Sequence, residues 1–443
     1  MKLKFYCICV LAIFVGVSEA SSILEKMINF RKIHQFKEQE PQILFQAFTW
    51  DAEVNGKKGV WYKHIQSKAK ELRKAGISHV WFPPMSRSVS PQGYMPGDYY
   101  DLGSANDKTL YGTKSELKKT IGQLASFGIS SIADIVINHR TASHQEDNIW
   151  NVFHHKSNKM MWKKWALSAN DYGGTGQVDS GNNFTPAPDI DHSNKIVQKD
   201  IIQWLKWLKS DIGFNGFRFD FSKGYAAKYA KKYIAATQPD FCVGELWTDM
   251  LYDSESVLLQ NQNPHRQNII DWIDDTNGTC KAFDFTSKGI MQESFKTQDY
   301  GRLIDEDNRQ SGVLGWWPAN TVTFIDNHDT GSKQAHWPFP AKKVLEGYAY
   351  ILTHPGVPTV FWDHLYLSSD YQKAKIIELT RFRVKHGIHK ESPLEIKEAR
   401  KGLYVASIDD KVLIKLGTKS YSPSNDWKLE ISSDAYMIYS KTQ

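Results

Sequence analysis

Two opposite charges stand two residues apart in the apolar run GFRFDF (216–221): Arg218 and Asp220. If the run is a strand, alternation puts both side chains on one face. Other apolar runs also carry or end in polar groups. Asp134 lies in SIADIVI with Asn138–His139 just beyond it, Glu245 lies in VGELW, and Asp326, His328 and Asp329 lie in FIDNHD. One such acid would fit a structural ion pair. Three carboxylates converging with two histidines and an arginine favour catalysis. Paired carboxylates suit glycoside hydrolysis, in which one attacks or stabilises the anomeric carbon and the other protonates the leaving oxygen. Asp220, held ionised by Arg218, suits the nucleophile. Glu245, desolvated in its apolar setting, suits the acid. No GxSxG, P-loop or HExxH motif occurs, so serine-hydrolase, nucleotide and zinc-protease readings lack their signatures.

Such groups need a scaffold that brings distant segments together. The strand candidates are ILFQAF (43–48), HVWFP (79–83), SIADIVI (131–137), GFRFDF (216–221), FCVGEL (241–246), AFDF (282–285), VTFIDN (322–327) and PTVFW (358–362). Nearly continuous apolar runs are expected of parallel strands covered on both faces. Amphipathic segments alternate with them. In 194–213, Val197, Ile201, Leu205, Leu208 and Ile212 make one apolar helix face. The pattern predicts an α/β fold, a (β/α)8 TIM barrel over 42–386, whose chemistry sits at the C-terminal ends of the strands. The third strand and the next helix are too far apart for a plain loop, so an inserted subdomain is expected over 139–191. Short alternating runs over 387–443 predict a C-terminal antiparallel β-sheet domain.

The 443-residue chain is 13% aromatic, with 15 tryptophans, which fits stacking on flat sugar faces as well as core building. Residues 1–20 read as a secretory signal peptide, with Lys2 and Lys4 before an apolar stretch and Ser18 and Ala20 near a cleavage site. A secreted protein, or one delivered by the secretory route to a digestive vacuole, is therefore expected. Residues 21–41 form an N-terminal segment with no functional reading. The net charge of +6 is mild and without a long basic run, so nucleic acid is not an expected partner. No later stretch is apolar enough for a membrane span, and a monomer is expected. Cys242 and Cys280 could pair, although Cys242 also reads as a small buried thiol.

DIVINH (134–139), GFRFDF (216–221), GELW (244–247) and FIDNHD (324–329) resemble, in order, the four signature regions of α-amylases. SPQGYMP (90–96), APDIDH (187–192), LGWWPA (314–319) and NHDTGSKQAHWPFP (327–340) are similar to plant-type members. The resemblance implies Asp220 as nucleophile, Glu245 as general acid/base and Asp329, rather than Asp326, as transition-state stabiliser. It places Tyr94, His139, Arg218 and His328 around the reacting sugar, with Lys223 and Trp247 beyond the scissile bond. Trp316 and Trp317 resemble a paired-tryptophan surface site for starch. Asn138, Asp179, Asp189 and the carbonyl of Gly224 match a Ca2+ site, and oxygen donors are what calcium takes. The activity implied is endo-hydrolysis of internal α-1,4 links in starch, glycogen or a related α-glucan. An exo-acting relative, a transglycosylase or a catalytically silent glycan-binding protein would share the fold.

Overall fold

A computed structural model describes residues 40–442. The leader expected at 1–20, and the N-terminal segment as far as residue 39, lie outside the described residues. Eight parallel strands close into a barrel: β1 (Leu44–Gln46), β2 (His79–Trp81), β3 (Ser130–Ile135), β4 (Gly216–Phe219), β5 (Phe241–Gly244), β6 (Lys281–Phe283), β7 (Thr321–Thr323) and β8 (Val357–Phe361). Each pairs with its sequence neighbour, and β1 pairs with β8 to close the ring. Nearly every residue of these strands is buried, as their unbroken apolar character requires.

The helices α1 (Trp61–Lys74), α2 (Lys114–Ser126), α3 (Lys195–Trp207), α4 (Ala227–Thr237), α5 (Asn263–Asp275), α6 (Phe285–Thr297), α7 (Val344–Thr353), the short α8 (Trp362–Tyr366) and α9 (Asp370–Lys385) alternate with the strands. Their starts are encoded locally. Thr113 and Glu116 form a capping box on α2, and Asn194 caps α3. On α3, Val197, Ile201 and Leu205 are buried, as their spacing predicts. The apolar face continues through a π-helical turn, Leu208–Ile212, and stops at Gly213 with φ +103°.

The strands are shorter than the apolar runs that announced them. AFDF stops at Phe283 because the Asp284 side chain accepts from the Ser287 amide and caps α6. GFRFDF leaves β4 at Phe219, and Phe221 takes φ +42°. The chain therefore turns away at the residue after Asp220, leaving that carboxylate at the strand's end.

Between β3 and α3 the chain makes a hairpin, His144–Glu146 with Ile149–Val152, and returns so that His139 bridges Asp189 and Leu167 bridges Ile190. The chain ends in an antiparallel sheet of β9 (Leu394–Arg400), β10 (Leu403–Ile408), β11 (Val412–Leu416), β12 (Trp427–Ser432) and β13 (Tyr436–Lys441), in the order β9-β10-β11-β13-β12. Cys242 on β5 and Cys280, just before β6, form a disulfide, so the free-thiol reading gives way to a pair. Among the described residues, no helix is long and apolar enough to cross a membrane.

Candidate active site

Arg218 answers for its own unusual position. Its side chain is wholly buried, and it organises carboxylates from three adjacent strands. Nη1 donates to Asp134 Oδ1 at 2.8 Å and to Asp220 Oδ1 at 2.6 Å, while Nη2 contacts Glu245 Oε1. The guanidinium also lies 4.9 Å from the centre of the Trp81 ring. Asp134 is satisfied on its other oxygen by Trp81 Nε1 and the Tyr94 hydroxyl, each at 2.9 Å.

One cation faces three acids, and burial decides the outcome. Burial pushes Glu245 up to about 8, with the charges of Asp220 and Asp329 adding to the push and Arg218 opposing it. Burial likewise raises Asp220 to about 7 and Asp134 to about 6, against the pull of the same guanidinium. Arg218 was expected to keep Asp220 ionised; it does lower that carboxyl, but desolvation outweighs it. Burial raises all three, so the cluster as a whole retains protons near neutrality.

Asp329 approaches from the loop after β7. His328 Nε2 lies 3.3 Å from Asp329 Oδ2, and Gln334 Nε2 donates to Oδ1 at 2.6 Å. His328 is buried, stacks on Tyr94 at 4.9 Å and meets Gln46 through Nδ1 at 3.1 Å. Burial lowers it to about 4, so it is neutral at physiological pH. Trp50 lies nearly parallel to both Tyr94 and His328, with ring centres 6.1 Å away in each case. His139 meets the Tyr94 carbonyl through Nε2 at 2.8 Å and stacks on Phe184 at 3.7 Å. Beyond Glu245, Trp247 is half-buried and runs parallel to Phe285 and Trp337. Lys223 lies in the turn that follows Asp220, its Nζ 5.3 Å from the Phe221 ring.

The structure thus brings together Tyr94, Arg218, Asp220, Glu245, His328 and Asp329 through direct contacts and shared electrostatics, and joins His139 to them through Tyr94. Trp316 and Trp317 are not with them. They precede β7, on the N-terminal side of the barrel, and Trp316 is half-buried with the Arg266 guanidinium 3.7 Å from its ring centre. Sequence reasoning gave no role to Gln46, Trp50, Trp81, Phe184, Gln334 or Trp337. Trp50 and Trp337 had one available signal, since each falls in a segment following the C-terminal end of a strand.

A second polar cluster ties the inserted segment to the barrel. Asn138 Nδ2 donates to Asp189 Oδ1 at 2.8 Å, while Asn138 Oδ1 and Asp179 Oδ2 are buried without a hydrogen-bond partner. A Cβ at Gly224 would fall 2.0 Å from Asn138 Oδ1, so only glycine lets that backbone close on the cluster. Burial raises Asp189 to about 8, and Asp179 and Asp171 beside it reinforce the shift. Orphaned oxygens and crowded carboxylates are a donor set that fits a hard divalent cation.

An eight-stranded barrel with this constellation at one end defines a glycoside hydrolase. The profile of the alpha amylase catalytic domain matches residues 42–332, and that of the alpha-amylase C-terminal beta-sheet domain matches 385–440. The chain belongs to the alpha-amylase family. It is 42% identical over 402 residues to "Probable alpha-amylase 2" of Arabidopsis thaliana, covering 90% of this chain and 94% of that protein. It is also 42% identical to "Alpha-amylase 3, chloroplastic" of the same plant, of which it spans 44%. The solved alpha-amylase of Anoxybacillus shares the fold with a TM-score of 0.66 at 15% identity, covering 91% of this chain and 98% of that one.

Proposed function

We propose that the protein is an endo-acting α-amylase that hydrolyses internal α-1,4-glucosidic bonds of starch or glycogen with retention of configuration. The observation that carries this reading is the single buried guanidinium of Arg218, which binds both Asp220 and Glu245. Sharing one guanidinium keeps the two carboxyls close, as in retaining enzymes, where they stand roughly 5 Å apart. Asp220 attacks the anomeric carbon as Glu245 gives its proton to the departing glycosidic oxygen. Glu245 then takes a proton from water, which attacks the anomeric carbon and breaks the bond to Asp220. Asp329 stabilises the positive charge that develops on the sugar in both steps. Tyr94, His139 and His328 surround that sugar, and Lys223 and Trp247 contact the next one.

Asn138, Asp179, Asp189 and the Gly224 carbonyl would hold Ca2+. The ion would cross-link the inserted segment to the turn that follows Asp220. The Cys242–Cys280 disulfide supports passage through an oxidising compartment, in keeping with secretion. The test is the product pattern from soluble starch, with the anomeric form followed by NMR. A spread of oligosaccharides released as α-anomers is expected. A single short product would replace the endo reading with an exo one, lengthened chains would identify transfer, and β-anomers would refute retention.

A further inference from the structure

The segment after β7 carries His328, Asp329, Gln334 and Trp337, and both of its ends return to one buried carboxylate. Asp326 Oδ1 accepts from Thr330 Oγ1 at 2.9 Å, and the Phe339 amide donates to both carboxylate oxygens at 3.1 Å. The Thr330 hydroxyl in turn accepts from the Asn327 amide at 3.0 Å, and Asn327 Oδ1 accepts from the amides of Asp329 and Thr330. The backbone around Asp329 is therefore built outward from Asp326.

Lys288 on α6 is also fully buried, although lysine rarely is. Its Nζ lies 3.5 Å from Asp326 Oδ1, donates to the Trp337 carbonyl at 2.6 Å and contacts Gln292 Oε1. The ammonium is also 4.6 Å from the Trp337 ring centre. Trp337 packs against the next residue, Gly289, where a Cβ would fall 2.7 Å from Trp337 Cη2. The same ring runs parallel to Trp247, at 14° and 6.4 Å. His364 Nε2 stands 3.6 Å from the other Asp326 oxygen. None of Lys288, Asp326 and His364 has a part in the bond-breaking steps above.

We propose that Lys288 and Asp326 are positioning residues: their buried ion pair clamps the 327–339 loop and thereby sets the Asp329 carboxylate and the Trp337 ring against Glu245 and Trp247. This deepens the proposed function and rests on its assignment of Asp329. The charge pair suits the task because, besides the Thr330 hydroxyl, its partners on the loop are the Phe339 amide and the Trp337 carbonyl, which fix the main chain as well as one side chain. Breaking one half would leave the other charge buried and unpaired, so the loop has one low-energy seating.

The test compares Lys288→Met, Asp326→Asn and their double variant with the wild-type full chain. Turnover of soluble starch gives kcat and KM, far-UV circular dichroism checks the fold, and near-UV circular dichroism reads the parallel Trp247–Trp337 pair. Lys288→Met is expected to lower kcat at least tenfold, raise KM and alter the near-UV tryptophan signal. The double variant is expected to recover part of the loss, because no buried charge remains unpaired. A folded Lys288→Met with kcat and KM within twofold of wild type and an unchanged near-UV signal would overturn the proposal. Should that variant not fold, Thr330→Val decides: it leaves the ion pair intact but cuts a tie from Asp326 to the loop, and the same two outcomes apply. Asp329→Asn separates the two layers. If it keeps turnover, the assignment of Asp329 fails, while the near-UV signal of the Lys288 variants still judges the clamp.

Discussion

Replacing Arg218 with methionine removes the one cation shared by Asp134, Asp220 and Glu245 while keeping an apolar stem over Trp81. Taking one partner from a buried ion pair costs about 3–5 kcal/mol. A unit of about 400 residues unfolds with an entropy of about 2.1 cal/mol/K per residue, so the melting temperature should fall by about 4–6 °C near neutral pH. The pH dependence carries the sharper test. In the folded wild-type protein the three carboxyls titrate near 6, 7 and 8, against roughly 4 in the unfolded chain. Groups raised in this way bind more protons folded than unfolded, so they contribute less stability as pH rises from about 4 through those values. Arg218 opposes each of the three shifts. Its removal must raise them further, so the variant is penalised most in alkali and least near pH 4–5, where the folded carboxyls are protonated in both proteins and the unfolded chains titrate alike. Thermal unfolding of both proteins at pH 5 and pH 8 measures this directly. A deficit equal or larger at pH 5 would refute the electrostatic account and leave packing against Trp81 as the role of Arg218.

Four further outcomes are expected. Glu245→Gln should lower turnover by at least about 10²-fold while starch binding persists, since an amide cannot donate the proton; retained turnover would show the acid misassigned. The pH–rate profile should be bell-shaped around neutrality, rising as Asp220 ionises (about 7) and falling as Glu245 does (about 8); a profile still climbing above pH 9 would contradict the protonated-acid role. Chelation should lower both melting temperature and activity, and Gly224→Ala, whose Cβ meets Asn138, should bind calcium more weakly than wild type; a melting temperature insensitive to excess chelator would remove the structural cation. The disulfide spans a sequence separation of 38, for which chain entropy gives about 4 kcal/mol, so a Cys242→Ala, Cys280→Ala variant should melt about 4–5 °C lower; no change would mean that the link adds nothing to the folded state.

Much of this was legible in the chain because it is encoded locally. Alternation sets Arg218 and Asp220 on one face whatever surrounds them, and continuous apolar runs announce strands covered on both sides. The spacing between those runs implies helices, so the barrel and the order of its acids follow from one-dimensional pattern. The strand ends were less legible: Asp284 looked like strand but caps a helix, because a short polar side chain can satisfy a helix's first amides.

What pattern could not supply is the identity of neighbours. That Arg218 reaches Asp134 and Glu245 depends on β3, β4 and β5 lying side by side. That Cys242 meets Cys280 depends on β5 pairing with β6. The competition that leaves Asp220 raised, despite its arginine, is a property of burial and of three charges summed in space. Lys288 would pass as a surface helix residue in any local reading, and Trp50 and Trp337 as ordinary loop aromatics. Their places are set by contacts across long stretches of chain, which exist only once the barrel has closed. The sequence determined which groups are present and on which strands; the tertiary structure decided which of them share a proton, a wall or a charge, because those interactions fall off within a few ångströms and take no account of distance along the chain.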